Sequence, residues 1–233
     1  AYSNPCTVLL DPFMGSGTVL VEGARQGHAV YGVEINPAAY SIARLYEFCC
    51  LPSDVRRQEL AETEEALKSV LDSNLPLFVG DHAPPSNLPR LAASHSNPRV
   101  RTLIEAIVLL ANTSDGPEKS ALYRQRWYEV RKAVLSLPLS VNPIRAFLGD
   151  ARQIELPDNS IDLVISSPPY INVFNYHHHY RCPVETLGWK PLVVARSEIG
   201  SNRKFRQNRY LTVIQYCIDM ALALAELRRL GKD

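Results

Sequence analysis

Two short stretches carry residue types with recognisable chemistry: Asp11-Pro12-Phe13-Met14-Gly15-Ser16-Gly17-Thr18 and Ser167-Pro168-Pro169-Tyr170. The first follows Thr7-Val8-Leu9-Leu10, an apolar run suited to a strand buried on both faces, and precedes a helix expected to start near Thr18. Gly15 and Gly17 let the backbone approach a ligand closely. Glu34 lies 19 residues beyond Gly15 at the end of the next strand, where a carboxylate can accept hydrogen bonds from both hydroxyls of a ribose. The third glycine of a dinucleotide pattern would fall at position 20, which is Leu20, and there is no phosphate-binding G-x-x-x-x-G-K-[ST]. A nucleoside cofactor without phosphates fits better, and S-adenosylmethionine is the common one, with Asp11 as a natural acceptor for its ammonium group. The bland alternative for this loop is a tight strand-to-helix turn followed by a surface glutamate.

Ser167-Pro168-Pro169-Tyr170 ends a second strand. Two prolines fix φ near −65° and remove two backbone donors, leaving a rigid turn whose carbonyls can only accept. Such a turn suits an amino group with two protons to donate. The exocyclic amine of a nucleobase is a poor nucleophile because its lone pair is delocalised into the ring. If the Ser167 side-chain oxygen and the Pro168 carbonyl each accept one N–H, the nitrogen is drawn toward tetrahedral geometry and its lone pair is aimed at a sulfonium methyl. Tyr170 offers a ring on which a flipped base can stack. Alone, the tetrapeptide also reads as a proline-rich turn that simply ends a strand. His177-His178-His179 with Cys182 is not read as a metal site, since consecutive histidines cannot all face one ion. Ring-carbon methylation would need a cysteine just after the strand, where the prolines stand instead.

The elements that must position these residues form an interrupted α/β pattern. A strand over His28 to Val33 follows the first helix, whose end is marked by Gly27, and Pro37 opens a second helix running to about Cys50. Residues 1–50 read as the first half of a cofactor-binding α/β domain. Residues 51–143 read as a helical insertion or subdomain, with helices over Val55 to Leu71, Arg101 to Asn112 and Glu118 to Leu137. The last of these carries Tyr123, Trp127, Val130 and Val134 on one face. Gly80 to Pro98, with four prolines, reads as an irregular loop. Residues 144–233 resume the α/β pattern, with a strand over Ile161 to Ser166. A closing helix from about Leu211 to Leu230 should place Ile214, Ile218, Leu222 and Ala225 inward.

Together these stretches resemble the amino-group (cytosine-N4 / adenine-N6) S-adenosylmethionine-dependent DNA methyltransferase family. The first looks like its cofactor motif, and Gly149-Asp150-Ala151 with Ser167-Pro168-Pro169-Tyr170 looks like its adenine-contact and catalytic motifs. The serine form is similar to the cytosine-N4 branch. The resemblance implies a Rossmann-like doubly wound methyltransferase sheet, incomplete at both ends within this chain. It implies that Asp11, Phe13, Gly15, Gly17 and Thr18 line the methionine end of S-adenosylmethionine, with Pro12 beside them. Glu34 would hold the ribose, Ile35 would pack on the adenine next to Asn36, and Asp150 with Ala151 would receive the adenine amine. The alternatives are adenine-N6 transfer, a guanine amine in RNA further away, or a non-catalytic fragment needing a partner chain or missing segments to complete the sheet.

Composition bounds the partners. The 233 residues are 46% hydrophobic and carry a formal net charge of +1, which excludes wholesale disorder and DNA binding by bulk charge. A basic footprint must be local, and Arg181 to Tyr210 supplies one, with seven bases against two acids. Arg203, Lys204, Arg206 and Arg209 are candidates for DNA phosphates, and Asn172 and Tyr176 for the base pocket. A solvated charged loop is the plain alternative. The apolar run Leu103 to Ala111 falls short of the roughly 20 residues that span a bilayer. Without a signal-peptide pattern, no membrane and a cytoplasmic location are the expectations. Five cysteines with no C-x-x-C pair argue against a disulfide framework or a zinc ribbon.

Overall fold

Val8–Asp11 forms strand β1, and the residues after it turn sharply into helix α1 (Thr18–Arg25). The computed structural model describes residues 7–71, 88–111, 119–171, 181–189, 198–200 and 209–232. Gly27, at φ +77°, ends α1 where the sequence marks it, and β2 (Ala29–Glu34) runs parallel to β1. Helix α2 (Pro37–Ala43) starts on Pro37, whose missing N–H costs nothing in a first turn. Asn36 caps it by accepting from the Ala38 N–H at 2.9 Å. The helical run continues to Cys50 as expected, but Arg44–Cys50 is a tighter 3₁₀ helix.

The described strands make one all-parallel sheet in the order β3-β2-β1-β4, with β3 spanning Ile144–Leu148 and β4 Leu163–Val164. The architecture is therefore α/β. β1 is buried on both faces because successive side chains point to opposite sides of a strand. Leu9 packs with Leu20, Ala24 and Val30, while Leu10 packs with Val33, Ile161 and Leu230. The outer edge of β3 is closed by side chains: Ala146 N–H donates to Glu47 Oε1 at 3.1 Å, and Ile144 N–H to Cys50 Sγ at 3.4 Å.

Between β2 and β3 lie α3 (Ser53–Leu71), α4 (Leu88–Ser94), α5 (Pro98–Ala111) and α6 (Lys119–Ser136). α5 is their centre, with Val100, Leu103, Ile104 and Ile107 fully buried. Tyr123, Val130 and Val134 of α6 are buried against this cluster and Trp127 is half-buried, as their helical spacing predicts. The loop expected over Gly80 to Pro98 is corrected in its described part, which holds α4. Pro89 falls in that helix's first turn, where no N–H is needed, and Pro98 opens α5 after a cap in which Asn97 accepts from the Arg99 N–H at 3.0 Å.

Two further expectations change near the C-terminus. The strand expected over Ile161 to Ser166 is ladder-paired with β1 only at Leu163–Val164, and Ile161 instead forms a parallel bridge with Gly231. Beyond Ile165, whose N–H still reaches the Leu10 carbonyl, the chain leaves the ladder toward two prolines that have no donors to offer. Helix α7 spans Arg181–Thr186 and α8 spans Arg209–Leu230. Ile214, Ile218, Leu222 and Ala225 of α8 face outward, contrary to expectation, and the inner line is Thr212, Asp219, Ala223 and Leu230 with Tyr216 and Glu226 half-buried. Polar groups fasten this helix. Glu226 accepts from the Ile154 N–H at 2.7 Å, and Arg229 reaches Asp158 and the carbonyls of Ile154 and Leu156. Among the described residues, Tyr210–Leu230 alone is long and apolar enough to cross a bilayer by length and composition, a feature the sequence reading passed over.

Candidate active site

The loop between β1 and α1 is built around its glycines. Gly15 sits at φ +53° and Gly17 at φ +91°, both in the left-handed region that glycine occupies without strain. Gly17 is also tightly enclosed, since an added Cβ would lie 2.9 Å from Ala43 Cβ and from Tyr46 Cδ2. It caps α1, accepting from the Leu20 N–H at 3.0 Å and donating to the Met14 carbonyl at 2.8 Å.

Glu34, at the end of β2, is tied to this loop by both carboxylate oxygens. Gly15 N–H donates to Oε2 at 2.9 Å and Asn36 N–H to Oε1 at 2.7 Å. A carboxylate offers about four acceptor positions, so some capacity remains for a ligand. Burial pushes the Glu34 carboxyl above its ordinary range, the backbone N–H groups of Asn36, Gly15 and Ile35 oppose this, and Glu198 nearby adds to the rise. Asp11 is buried at the end of β1, where it accepts from the Phe13 N–H at 3.1 Å and the Ser166 hydroxyl at 2.5 Å. Burial raises its pKa as well, against the pull of those two donors.

The Ser166–Asp11 bond joins segments 155 residues apart and seats the Ser167-Pro168-Pro169-Tyr170 turn beside the glycine loop. A single cleft of about 860 Å³ lies between them. Of the residues singled out in the sequence, Asp11, Pro12, Phe13, Gly15, Thr18, Glu34, Ile35, Asn36, Asp150, Ala151, Ser167, Pro169 and Tyr170 line it. Gly17 and Pro168 stand next to lining residues without lining the cleft themselves. Asn172, Tyr176, Arg203, Lys204 and Arg206 lie outside the described residues, as do His177-His178-His179. Arg209 opens α8, and its side chain is outside the description. Among the described residues no group of three or more metal-ligating side chains occurs, and no cysteine lines the cleft.

Several further participants emerge only from the structure. Arg152 forms a fork on Asp150, with Nε 2.9 Å from Oδ1 and Nη2 2.5 Å from Oδ2, and its backbone N–H adds 2.9 Å to Oδ1. Its Nη1 reaches the buried Asp219 of α8 at 2.5 Å. Burial works against the charge of Asp150, but the Arg152 hydrogen bonds outweigh it and hold the carboxyl below its ordinary range. Tyr216 of α8 donates to the Pro169 carbonyl at 3.1 Å. Glu198 brings a further carboxylate to the cleft, and Leu110 brings the end of α5 to it. Ser166 could have been suspected from its place beside Ser167; the others depend on partners distant in the chain.

Comparisons with known proteins give two short matches. Residues 1–45 match the N6_N4_Mtase family model, described as DNA methylase. A 49-residue stretch is 47% identical to the Type II methyltransferase M.MvaI of Kocuria varians. That match covers 21% of this chain and 11% of the relative, so the relative is far longer than the shared stretch. No solved structure matches the chain.

Proposed function

We propose that this chain, whose first 45 residues match a DNA methylase family model, transfers a methyl group from S-adenosylmethionine to the exocyclic N4 amine of cytosine in DNA. The observation that carries this reading is the 2.5 Å bond from Ser166 to Asp11, because it joins the two chemistry-bearing stretches at one cleft. On this reading the parallel sheet is a doubly wound methyltransferase sheet. Residues 1–50 and 144–233 are its two parts, and 51–143 is the helical insertion.

The residues present fit the cofactor. Glu34 lines the cleft as a carboxylate with acceptor capacity left over, which suits a ribose diol, and Asp150, held in place by Arg152, lines the same cleft where the adenine amine would reach it. The buried Asp11 carboxylate suits an ammonium group. When bound, S-adenosylmethionine supplies an electrophilic methyl group on a sulfonium. The chain's own part is to hold and orient. Ser167 and the Pro168 carbonyl accept the two amine protons, and Tyr170 holds the base. Asn172, Tyr176, Arg203, Lys204, Arg206 and Arg209 contact the DNA. The serine at position 167 favours cytosine N4, while the matched family's name covers both amines, so adenine N6 is the second reading.

Incubating the full chain with labelled cofactor and DNA, then identifying the modified nucleoside after digestion, tests the proposal. N4-methylcytosine is expected. N6-methyladenine would replace the first reading with the second, and no transfer at all would leave a cofactor- or DNA-binding piece of a larger enzyme.

Cofactor binding should also be coupled to proton release. Asp11 and Glu34 have raised pKa values in the ligand-free protein, so their protonation favours folding at low pH, and that contribution is lost as pH rises through the raised values. A ligand that needs both groups ionised therefore binds less tightly as pH falls through the same window. Calorimetry with S-adenosylhomocysteine in buffers of different ionisation enthalpy should show protons leaving and affinity declining from pH 8 toward pH about 5, the region just above the ordinary carboxylate values. An affinity constant across that range would contradict the assigned roles.

A further inference from the structure

The Ser167-Pro168-Pro169-Tyr170 turn has little of its own to hold it. Residues 165–170 lie outside regular secondary structure, and Pro168 and Pro169 cannot donate backbone hydrogen bonds. Ser167 and Pro168 are exposed, and so is Tyr170. At its entrance the turn is tied by the Ser166 hydroxyl to Asp11. At its exit, among the described residues, one side chain reaches its backbone: Tyr216, whose hydroxyl donates to the Pro169 carbonyl at 3.1 Å.

We propose that Tyr216 is a positioning residue for methyl transfer, fixing the acceptor turn by occupying the Pro169 carbonyl and leaving the Pro168 carbonyl free for the base amine. The proposal rests on the reading of the turn as the amine-binding element. Adjacent carbonyls in a turn are rival acceptors, and an amine that chose Pro169 in place of Pro168 would present its lone pair in another direction. A phenol engaged with one of them removes that ambiguity.

The surroundings suit a fixed ring. Gly200 sits at φ +82°, and an added Cβ there would lie 3.5 Å from Tyr216 Cδ2 and 3.2 Å from the Tyr170 carbonyl oxygen, so the backbone at 200 closes against both. One helical turn beyond Tyr216, Asp219 grips Arg152, which in turn grips Asp150. The helix that holds the acceptor turn is thus also tied, one turn further on, to Asp150 in the lining of the same cleft.

Tyr216→Phe keeps the ring and deletes the hydrogen bond. Pro169-Tyr170 is the only Pro-Tyr step in the chain, so labelling proline carbonyls with ¹³C and tyrosine nitrogens with ¹⁵N gives one correlated resonance that reports on the Pro169 carbonyl directly. In the full chain carrying Tyr216→Phe, that carbonyl resonance is expected to shift. The single-turnover rate of methyl transfer should fall about tenfold, as loss of one well-placed hydrogen bond predicts. S-adenosylhomocysteine affinity should stay unchanged, and the thermal midpoint should fall by no more than about a few degrees. An unmoved resonance, or a shifted resonance with full transfer rate, overturns the positioning role while leaving the functional reading intact. A wild-type chain that transfers no methyl group overturns the functional reading, and the positioning role with it.

Discussion

Tyr170→Ala should lower methyl transfer to DNA about a hundredfold while leaving the affinity for S-adenosylhomocysteine within about twofold. The expectation follows from where the ring stands. Tyr170 is 59% exposed and lines the cleft, in the turn proposed to accept the amine. On the proposed reading the exposed ring offers its face to a flipped base. Stacking of a base on an aromatic ring is worth about 1–3 kcal/mol, which corresponds to roughly fivefold to 150-fold in rate when the stack is needed in the transition state. Because the base must also be held out of the duplex, the upper part of that range applies. Tyr170→Phe keeps the face and should stay within about threefold of the wild type. The pair of variants, assayed for kcat/KM on DNA and for cofactor affinity by calorimetry, separates stacking from folding. An alanine variant with near wild-type transfer would remove the base from this position.

How far the site could be read in advance depended on the range of the forces involved. Gly15, Gly17, Gly27 and Pro37 act within a few residues of themselves, so turns, a helix end and a helix start were legible. The same holds for Leu9 and Leu10, whose neighbours leave no polar face for a strand exposed to water. The cleft itself was legible only as a pairing of two stretches, and the Ser166–Asp11 bond that joins them could not be seen in either alone. α8 misled because its apolar residues recur at helical spacing on the side that faces out. Its inner side is held by Asp219, Glu226 and Arg229, whose partners at 150–158 a periodicity argument cannot supply. Arg152 is only two residues from Asp150, but its meaning depends on Asp219, 67 positions away. α4 was missed because proline was taken as a breaker where it stood in a first turn.

The same limit hid Arg56, and its replacement should have the largest effect on stability. Arg56 lies in α3 and is 2% exposed, yet every partner of its guanidinium is a backbone carbonyl. Nε donates to Leu51 at 2.8 Å, Nη1 to Leu137 at 2.5 Å, and Nη2 to Pro138 at 2.7 Å and Cys49 at 3.2 Å. Two of these carbonyls close the 3₁₀ helix that follows α2, and the other two follow the end of α6, where unpaired carbonyls and the helix dipole both favour a cation. The side chain therefore joins the first α/β segment to the chain just before β3, whose far end leads into Gly149-Asp150. Burial lowers the pKa of Arg56, but the group starts so high that it stays charged, and the carbonyls replace the water it gave up. Arg56→Met keeps most of the stem's volume and removes all the donors at once. The expected loss is about 3–5 kcal/mol, as for other buried charged networks deprived of one partner, from a total of roughly 5–15 kcal/mol for a domain. The urea midpoint should fall accordingly with an unchanged slope. Arg56→Lys should recover only part of it, since one ammonium cannot span carbonyls that a planar fork reaches in several directions. Equal midpoints for the methionine variant and the wild type would mean that these carbonyls find other donors, and that the two segments are held together by packing alone.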